Sequence, residues 1–365
     1  MSGSFTTFGN TSFFCGVSTP KRDFVQETRA LLEETLKALP AGWVPLWFRF
    51  HLSDIANQEE LLRPLLKEMD IRCAVACVGQ APLCGAHAGL EACFVKKELL
   101  RHPQPGESLI ENPPYRQLYF NQFRLTARGS GPQMAEEFAE AEKIIASYGG
   151  NIPENLQRTW IYCRDIDNNY ADLVTARKDL FEKQGLTAET HYITSTGIEG
   201  LSHPHDRLVR MDSMALFGHD PRQIQYLHAL EHLSPTHIYG VTFERGTRII
   251  YGDCSYYYIS GTASIDKAGQ VVHERDVEKQ TLRLLENVDA LMKEGGGSLN
   301  DLVQAVIYLR DPADHAAVKR IIDAHLPSTT QRLLVRGSIC RPTWLVEMDA
   351  IGVNACGSST FAPWN

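Results

Sequence analysis

The fold of this chain is decided by the sequence VIYLRD at residues 306–311, read together with LVEMDA at residues 345–350. Both stretches are short and rich in β-branched, aromatic and other apolar residues, a composition typical of buried β-strands. The residues between them show helical spacing first and then a second β-rich run, which should fold back on the last strand. The pattern therefore predicts a helix and the two strands of a closing hairpin: 313–326, 331–340 and 344–353.

The residues on the N-terminal side of this region add one strand and one helix. YYYISGTAS at residues 256–264 is a β-rich run, and GGG at residues 295–297 is a strong helix stop. Between these two stretches, side chains recur on one helical face: Val277, Thr281, Leu284, Val288 and Leu291. The predicted order is β, α, β, α, β, β, which indicates an α+β domain.

The same order of elements occurs a second time further upstream. A β-rich run at residues 119–127 precedes a helical pattern that Gly149 and Gly150 end. WIYCRD at residues 160–165 then parallels VIYLRD, and LVRMDS at residues 208–213 parallels LVEMDA. We therefore expect two tandem domains, of which the N-terminal copy is degenerate. The alternative is two unrelated α+β domains that share common hydrophobic patterns.

The expected domain boundaries follow from this repeat. Residues 1–45 lie outside it and should form an N-terminal arm, while residues 46–215 should form the degenerate domain. Turn-forming and polar residues in 216–234 indicate the connection between the copies. Residues 235–365 are then expected to form the second, catalytic domain.

Composition limits the class of protein. The 365 residues are 43% hydrophobic and 22% charged, as in a soluble globular protein, and the net charge of −8 argues against a nucleic-acid partner. No apolar run is long enough to span a membrane, and the N-terminal sequence lacks the pattern of a secretory signal. A cytoplasmic protein without a membrane partner is expected.

Cysteine and histidine spacing does not favour a metal centre. Nine cysteines in a chain of this size predict reduced thiols rather than a disulfide framework. Cys73 and Cys77 are four residues apart, but no second pair with zinc-finger spacing follows them. His203 and His205 lie in a proline-containing loop with no obvious third ligand. We expect neither a metal nor an organic cofactor.

Several of these motifs resemble those of the YjgF/RidA family. The resemblance covers the C-terminal third of the chain and is carried by ISGTAS at 259–264, YLRD at 308–311 and VEMDA at 346–350. It implies a sheet-plus-helices domain in which an arginine binds the ligand carboxylate and a glutamate fifteen residues later serves the chemistry. Arg332 and Glu347 have that separation.

A narrower resemblance, to the chorismatases, covers most of the chain. It is carried by four stretches: FERG at 243–246, GTAS at 261–264, ICRP at 339–342 and LVE at 345–347. Chorismatases convert chorismate to pyruvate and a six-membered-ring product. The resemblance implies that Glu347 is the acid acting on the enolpyruvyl group. It also implies, from Cys340 and Gly246, a member that releases 3-hydroxybenzoate rather than a dihydrodiol.

The chemistry of an enol ether explains why a buried glutamate is needed. Cleavage requires protonation of the methylene carbon, so the acid must keep its proton near neutral pH. Burial between Val346 and Met348 would raise the pKa of Glu347 in that direction. The alternative is a glutamate on the exposed side of a hairpin. Because Arg210 takes the corresponding place in the first copy, we expect one active centre per chain.

Alternation along a strand predicts the residues that bind substrate. Arg332 and Arg336 share a strand face with Cys340, and guanidinium groups suit the two carboxylates of chorismate. In the alternative, both arginines point to solvent on an edge strand. Cys340 could shape the pocket, relay a proton or be buried and inert. Three further substrate contacts are expected: Tyr239, Arg245 and Thr262.

Three functions are compatible with these features. The first is a chorismatase that forms pyruvate and 3-hydroxybenzoate, with Gly246 leaving space in the substrate pocket. The second is an enamine or imine deaminase of the RidA type, for which Arg332 and Glu347 would suffice. The third is a non-enzymatic protein that binds a small ligand. The expected assembly is a monomer or a homotrimer.

Overall fold

A computed structural model of the protein describes residues 5–20, 23–121 and 125–365. Within these residues the long strands form three sheets, each of which belongs to a separate α+β unit. The first unit has a five-stranded sheet and two helices: β1 (Thr6–Phe8), β2 (Thr11–Val17), α1 (Phe24–Ala38), β3 (Trp43–Leu52), α2 (Ile55–Glu68), β4 (Ala74–Gly79) and β5 (Ala88–Lys96).

The second and third units each have a six-stranded sheet. The second contains β6 (Leu100–Arg101), β7 (Glu107–Asn112), β8 (Tyr115–Phe120), α3 (Ser130–Ser147), α4 (Ile152–Asn155), β9 (Leu156–Cys163), α5 (Ile166–Lys183), β10 (Thr194–Glu199) and β11 (Val209–Phe217). The third contains β12 (Ile224–Leu227), β13 (Gly246–Ile250), β14 (Ser255–Ala263), α6 (Val277–Glu294), β15 (Leu302–Leu309), α7 (His315–His325), β16 (Gln331–Arg336) and β17 (Val346–Asn354).

All three sheets share one strand order. In the third unit it is β14-β17-β15-β16, in the second β8-β11-β9-β10, and in the first β2-β5-β3-β4. The last strand of each unit is thus inserted between the first long strand and the second. The expected α+β class and tandem arrangement are confirmed, but the described residues form three units of this kind rather than two.

The sequence of α6 shows why the main helices cover their sheets. Leu284, Val288 and Leu291 recur at helical spacing and are fully buried, so one apolar face packs on the sheet. Asp276 caps the N-terminus, because its carboxylate accepts a hydrogen bond from the Lys279 backbone N–H at 3.0 Å. The helix ends at Glu294 with Gly295 as its C-cap, as the glycine run predicts.

The three units contact one another in a ring. The contacts are between β3 and β7, between β10 and β14, and between β16 and β2. A buried ion-pair group joins the first two units, where the Arg49 guanidinium donates to Glu91 and to Asp212, each at 2.8 Å. A second buried pair joins the other two, with Arg158 Nη2 3.4 Å from Asp349 Oδ2.

Two sequence-based boundaries are corrected by this architecture. The expected arm over residues 1–45 contains β1, β2 and α1, and β2 pairs with β5 inside the first sheet. Residues 46–96 therefore belong to the first unit rather than to a domain over 46–215. The closing strand of the first unit does not repeat the LVEMDA pattern: Gly89, which pairs with His51, stands where the third unit has Glu347, which pairs with Tyr308.

Two smaller expectations also change. β16 and β17 do not form a hairpin, because β15 lies between them and pairs with β16 in parallel and with β17 antiparallel. The expected connection over 216–234 includes β12, an edge strand of the third sheet. Part of the β-rich run at 119–127, residues 122–124, lies outside the described residues. No helix among the described residues is long and apolar enough to cross a membrane.

Candidate active site

A cavity of about 370 Å³ lies between the second and third units. The second unit contributes residues of α5 and β10, and the third contributes β14, β17 and the segments on either side of them. Clefts of this size between packed units commonly bind small molecules. Its lining residues include Tyr170, Arg177, Ser195, Gly197, Tyr239, Arg245, Gly261, Cys340, Arg341 and Glu347.

Glu347 lies in β17 and points into the cavity. Its side chain is almost fully buried, and burial together with the nearby Asp349 carboxylate raises its pKa to about 8, against the opposing effect of Arg245 and Arg158. The carboxyl group is therefore protonated at neutral pH.

A glycine creates the space for this carboxyl group. The register of β14 against β17 shifts between Ile259 and Thr262, so Gly261 lies in an irregular part of the ladder. A Cβ atom on Gly261 would lie 2.2 Å from Glu347 Oε1. A side chain at this position would force the carboxyl group to move.

Behind Glu347, a polar network fixes the strand ends of the two units. Arg158 Nη2 donates to Thr196 Oγ1 at 2.6 Å, and the Gly261 N–H donates to the same oxygen at 3.0 Å. The Tyr308 hydroxyl donates to Asp349 Oδ2 at 3.1 Å. The network spans both units, so it holds the two walls of the cavity in a fixed relation.

Three guanidinium groups line the cavity. Arg177 is buried in α5, and its Nε donates to Thr242 Oγ1 at 3.3 Å. Its Nη2 has no hydrogen-bond partner among the described residues. Since a buried N–H donor without a partner is costly, this nitrogen is available to an anion in the cavity.

Aromatic rings hold the other two guanidinium groups. Arg245 lies 5.3 Å from the Tyr239 ring centroid and 5.4 Å from that of Phe243. Arg341 lies 4.8 Å from the Tyr239 centroid and 4.9 Å from that of Trp344. Tyr239 is thus placed between two cations, and the rings orient both of them by cation–π contact.

Cys340 lies in the same cavity, close to Tyr170. Burial and the neighbouring Glu347 raise the pKa of the Cys340 thiol to about 12, although a hydrogen bond with Tyr170 acts in the opposite direction. The thiol is neutral at physiological pH, so it lacks the thiolate character of a nucleophilic cysteine. It can shape the cavity and exchange a hydrogen bond.

The arrangement combines two chemical capacities. A protonated carboxyl group can give its proton to a substrate carbon, and three guanidinium groups can bind carboxylates. The shielded position of Glu347 limits competition from water. A substrate with an acid-sensitive double bond and more than one carboxylate fits this combination.

The family was identified by comparison with known proteins. Residues 252–354 match the family model described as Endoribonuclease L-PSP. A RutC family protein of Pyrococcus abyssi is 33% identical over 99 residues, which make up 27% of this chain and 77% of that protein. The chain belongs to the RutC family. The 3-aminoacrylate deaminase RutC of Acinetobacter baylyi is 32% identical over 95 residues, 26% of this chain and 75% of that protein.

A solved structure is similar over nearly the whole chain. The crystal structure of a chorismatase at 1.08 Å resolution matches with a TM-score of 0.67 and 18% sequence identity, covering 95% of this chain and 100% of that chain. This RutC-family chain therefore has the YjgF-like tandem fold of a chorismatase, and its first unit is part of that fold.

The structure brings together four of the residues that were predicted from sequence. Glu347, Cys340, Tyr239 and Arg245 line one cavity. Of the three units, only the third has a glutamate at this position. Glu347 pairs with Tyr308 there, whereas Arg210 pairs with Tyr162 in the second unit and Gly89 with His51 in the first.

Arg332 and Arg336 are not at this site, which corrects their predicted placement. Arg332 Nη1 lies 3.3 Å from Asp323 Oδ1 of α7, and Arg336 is exposed. β16 is the edge strand of the third sheet and contacts β2 of the first unit, so its outer face is turned away from the cavity. The equivalent strand at the cavity is β10, where Ser195 is the second residue as Arg332 is in β16.

Gly246 and Thr262 also differ from expectation, since neither lines the cavity. A Cβ atom on Gly246 would lie 3.1 Å from Ile259 Cδ1 and 3.3 Å from Leu227 Cδ1, so the glycine provides space in the core of the third unit. The Thr262 hydroxyl donates to the Ser260 carbonyl at 2.9 Å, and its side chain is fully buried.

Sequence reasoning missed the residues that come from the second unit: Tyr170, Arg177 and Ser195. Helix α5 carries Tyr170 and Arg177 seven residues apart, which places both near the same helix face. An arginine on the otherwise apolar face of a helix was the available signal. It could be interpreted only once the second unit was known to face the third.

Proposed function

We propose that this protein is a chorismatase, which converts chorismate to pyruvate and 3-hydroxybenzoate. The proposal is supported above all by one observation: Glu347, whose pKa is raised to about 8, shares a cavity with Arg177, Arg245 and Arg341. Chorismate has two carboxylates and an enol ether, the two features that these groups match.

In the proposed reaction, Glu347 donates its proton to the methylene carbon of the enolpyruvyl group. The resulting cation is captured by a ring hydroxyl or by water, and cleavage of the ether C–O bond then releases pyruvate. Pyruvate and 3-hydroxybenzoate together contain all the atoms of chorismate, whereas a dihydrodiol would require one added water. A proton returned from the products or solvent restores the acid form of Glu347.

The RutC relationship supports a second candidate, deamination of an enamine or imine, because a related protein is named as a 3-aminoacrylate deaminase. Carbon protonation by Glu347 would serve that reaction as well. From the sequence, Arg332 was expected to bind the substrate carboxylate in this second reaction. In the structure Arg332 contacts Asp323 instead.

The test compares the two substrates with the same purified protein. Chorismate turnover is followed by pyruvate release in a lactate dehydrogenase-coupled assay, and ring products are separated by chromatography with ultraviolet detection. 2-Aminoacrylate, generated in the assay, is followed by the rate of its conversion to pyruvate and ammonia. The proposal predicts pyruvate and an aromatic acid in equal amounts from chorismate. Acceleration of deamination without chorismate turnover would favour the second candidate.

A further inference from the structure

A second, larger cavity lies between the first and second units. Its volume is about 560 Å³, and its walls are α2 and β4 of the first unit and the 102–106 loop of the second. A volume of this size is within the range of small-molecule sites. None of its lining residues belongs to the candidate active site.

This cavity lies between the first and second units in the way that the candidate active site lies between the second and third units. Val75 and Cys77, the second and fourth residues of β4, line it. Ser195 and Gly197, the second and fourth residues of β10, line the active-site cavity. Because the units share one strand order, the two cavities are equivalent clefts of a repeated architecture.

The chemistry that β17 brings to the active site is missing from the equivalent cleft. Arg210 takes the place of Glu347, and its Nη1 donates to the Cys77 carbonyl at 2.9 Å. Glu59 lies behind the cleft, 3.8 Å from the Arg210 guanidinium. A guanidinium is too weak an acid to protonate the carbon of an enol ether, so the cleft lacks the acid chemistry of the active site and is suited to binding.

The walls of the cleft are basic and apolar. Its cationic side chains are Arg63, Lys67 and Arg72, its one carboxylate is Asp70, and its other titratable side chains are His102, Cys73 and Cys77. Arg72 pairs with Asp70 at 2.7 Å, and Arg63 pairs with Glu59. Lys67 has no ion-pair partner within the part of the chain that the structure describes. The apolar lining is Leu66, Ile71, Val75, Pro103 and Pro105.

We propose that this cleft is a non-catalytic binding site for a small organic carboxylate with an apolar body. The basic side chains at its mouth would bind the carboxylate, and the aliphatic and proline side chains would pack on the apolar part. The chain has a net charge of −8, so small anions should bind only where local groups attract them, and at this cleft Lys67 is a cation without an ion-pair partner among the described residues.

The test uses benzoate as the probe and measures binding stoichiometry by calorimetry. Wild-type protein should bind benzoate at this cleft in addition to any binding at the active site. The variant Lys67→Glu/Arg72→Glu should weaken the additional binding at least about tenfold, since it reverses two of the charges. Its thermal unfolding should match wild type, because both side chains are exposed; Lys67→Ala provides a milder version of the same change.

Two controls locate the site. Lys319→Glu/Arg320→Glu makes the same charge change on α7 of the third unit and should leave benzoate binding as in wild type. Arg177→Ala should remove only binding at the active site. The proposal is overturned by equal loss of binding in both double variants, by unchanged binding in Lys67→Glu/Arg72→Glu, or by no Arg177-independent binding below about 10 mM. These outcomes do not depend on whether chorismate is the substrate.

Discussion

At Glu347, burial and a neighbouring carboxylate act in the same direction on one proton. Taking the carboxyl group out of water disfavours its charged form, and Asp349, two residues along β17, adds like-charge repulsion. Arg245 and Arg158 oppose this effect only in part. The result is an acid that holds its proton in the pH range where an enol ether is stable in water.

This pKa has a consequence for stability. The pKa of the Glu347 carboxyl group is near its ordinary value of 4.5 in the unfolded chain and about 8 in the folded protein. Between these pH values the carboxyl group ionises only in the unfolded chain, and this lowers the free energy of the unfolded state relative to the folded state. Wild-type stability should therefore fall, relative to Glu347→Gln, as the pH rises from about 5 to about 8. The difference should reach on the order of 3 to 5 kcal/mol and then stay constant. Urea unfolding of both proteins at a series of pH values measures it.

Comparison with the glutamine variant isolates this residue. Glu137 is another buried carboxyl group whose pKa is raised to about 8, and its effect is the same in both proteins. A stability difference that does not change between pH 5 and pH 9 would show that Glu347 is ionised in the folded protein.

Cys340 gives a prediction about product. If its neutral thiol helps the ring intermediate to aromatise, Cys340→Ala should divert part or all of the product to a non-aromatic dihydrodiol while pyruvate is still released. Chromatography with ultraviolet detection separates the two products. Cys84→Ala, which removes an exposed thiol, is the matched control. Unchanged 3-hydroxybenzoate formation by Cys340→Ala would make this cysteine a packing residue.

At the scale of elements, the irregular pairing of β14 with β17 creates the acid site. Gly261→Ala would place a methyl group against the Glu347 carboxyl group and force that group to move. A displacement of a catalytic group by about 1 Å costs on the order of a hundredfold in rate. We expect that loss in kcat for Gly261→Ala. Gly197→Ala, whose Cβ would lie 3.3 Å from the Tyr170 ring, should be tolerated much better. Equal effects of the two substitutions would remove the special role of Gly261.

Most elements of the third unit could be predicted from their periodicity. Apolar residues at helical spacing identified α6 and α7, and short β-rich runs identified β14, β15 and β17. Strand order could not be derived in this way, because a β-rich run does not indicate its pairing partner. The expected hairpin of β16 and β17 was wrong for that reason, and the two arginines of β16 were placed on the wrong side of the sheet.

At the scale of the whole molecule, the active-site cavity exists only where two units meet. Its acid comes from the third unit, and the second unit supplies Arg177, whose Nη2 has no hydrogen-bond partner among the described residues. The motifs of the third unit pointed to Glu347 and Cys340 through the family resemblance, but they contain no information about the residues of the second unit that face them. The first unit was missed because its closing strand, around Gly89, does not repeat the LVEMDA and LVRMDS pattern of the other two units.

The arrangement of units predicts which arginine binds substrate. Arg177→Ala should raise KM for chorismate at least about tenfold, because it removes a cation from the cavity. Arg332→Ala, which removes an arginine paired with Asp323 outside the cavity, should leave KM unchanged. Steady-state kinetics of the two variants measures this difference. If KM rises only in Arg332→Ala, Arg332 binds the substrate, as the sequence predicted, and the cavity that contains Arg177 does not.

The central claim is that Glu347, in its acid form, protonates the substrate. The most direct measurement is the rate of pyruvate release from chorismate by wild type and by Glu347→Gln across a series of pH values. We predict that the wild-type rate falls as the pH rises through about 8, where the acid form is lost. The variant should lose at least about a hundredfold in kcat while remaining folded. Retention of more than about a tenth of the wild-type kcat by Glu347→Gln would contradict the claim.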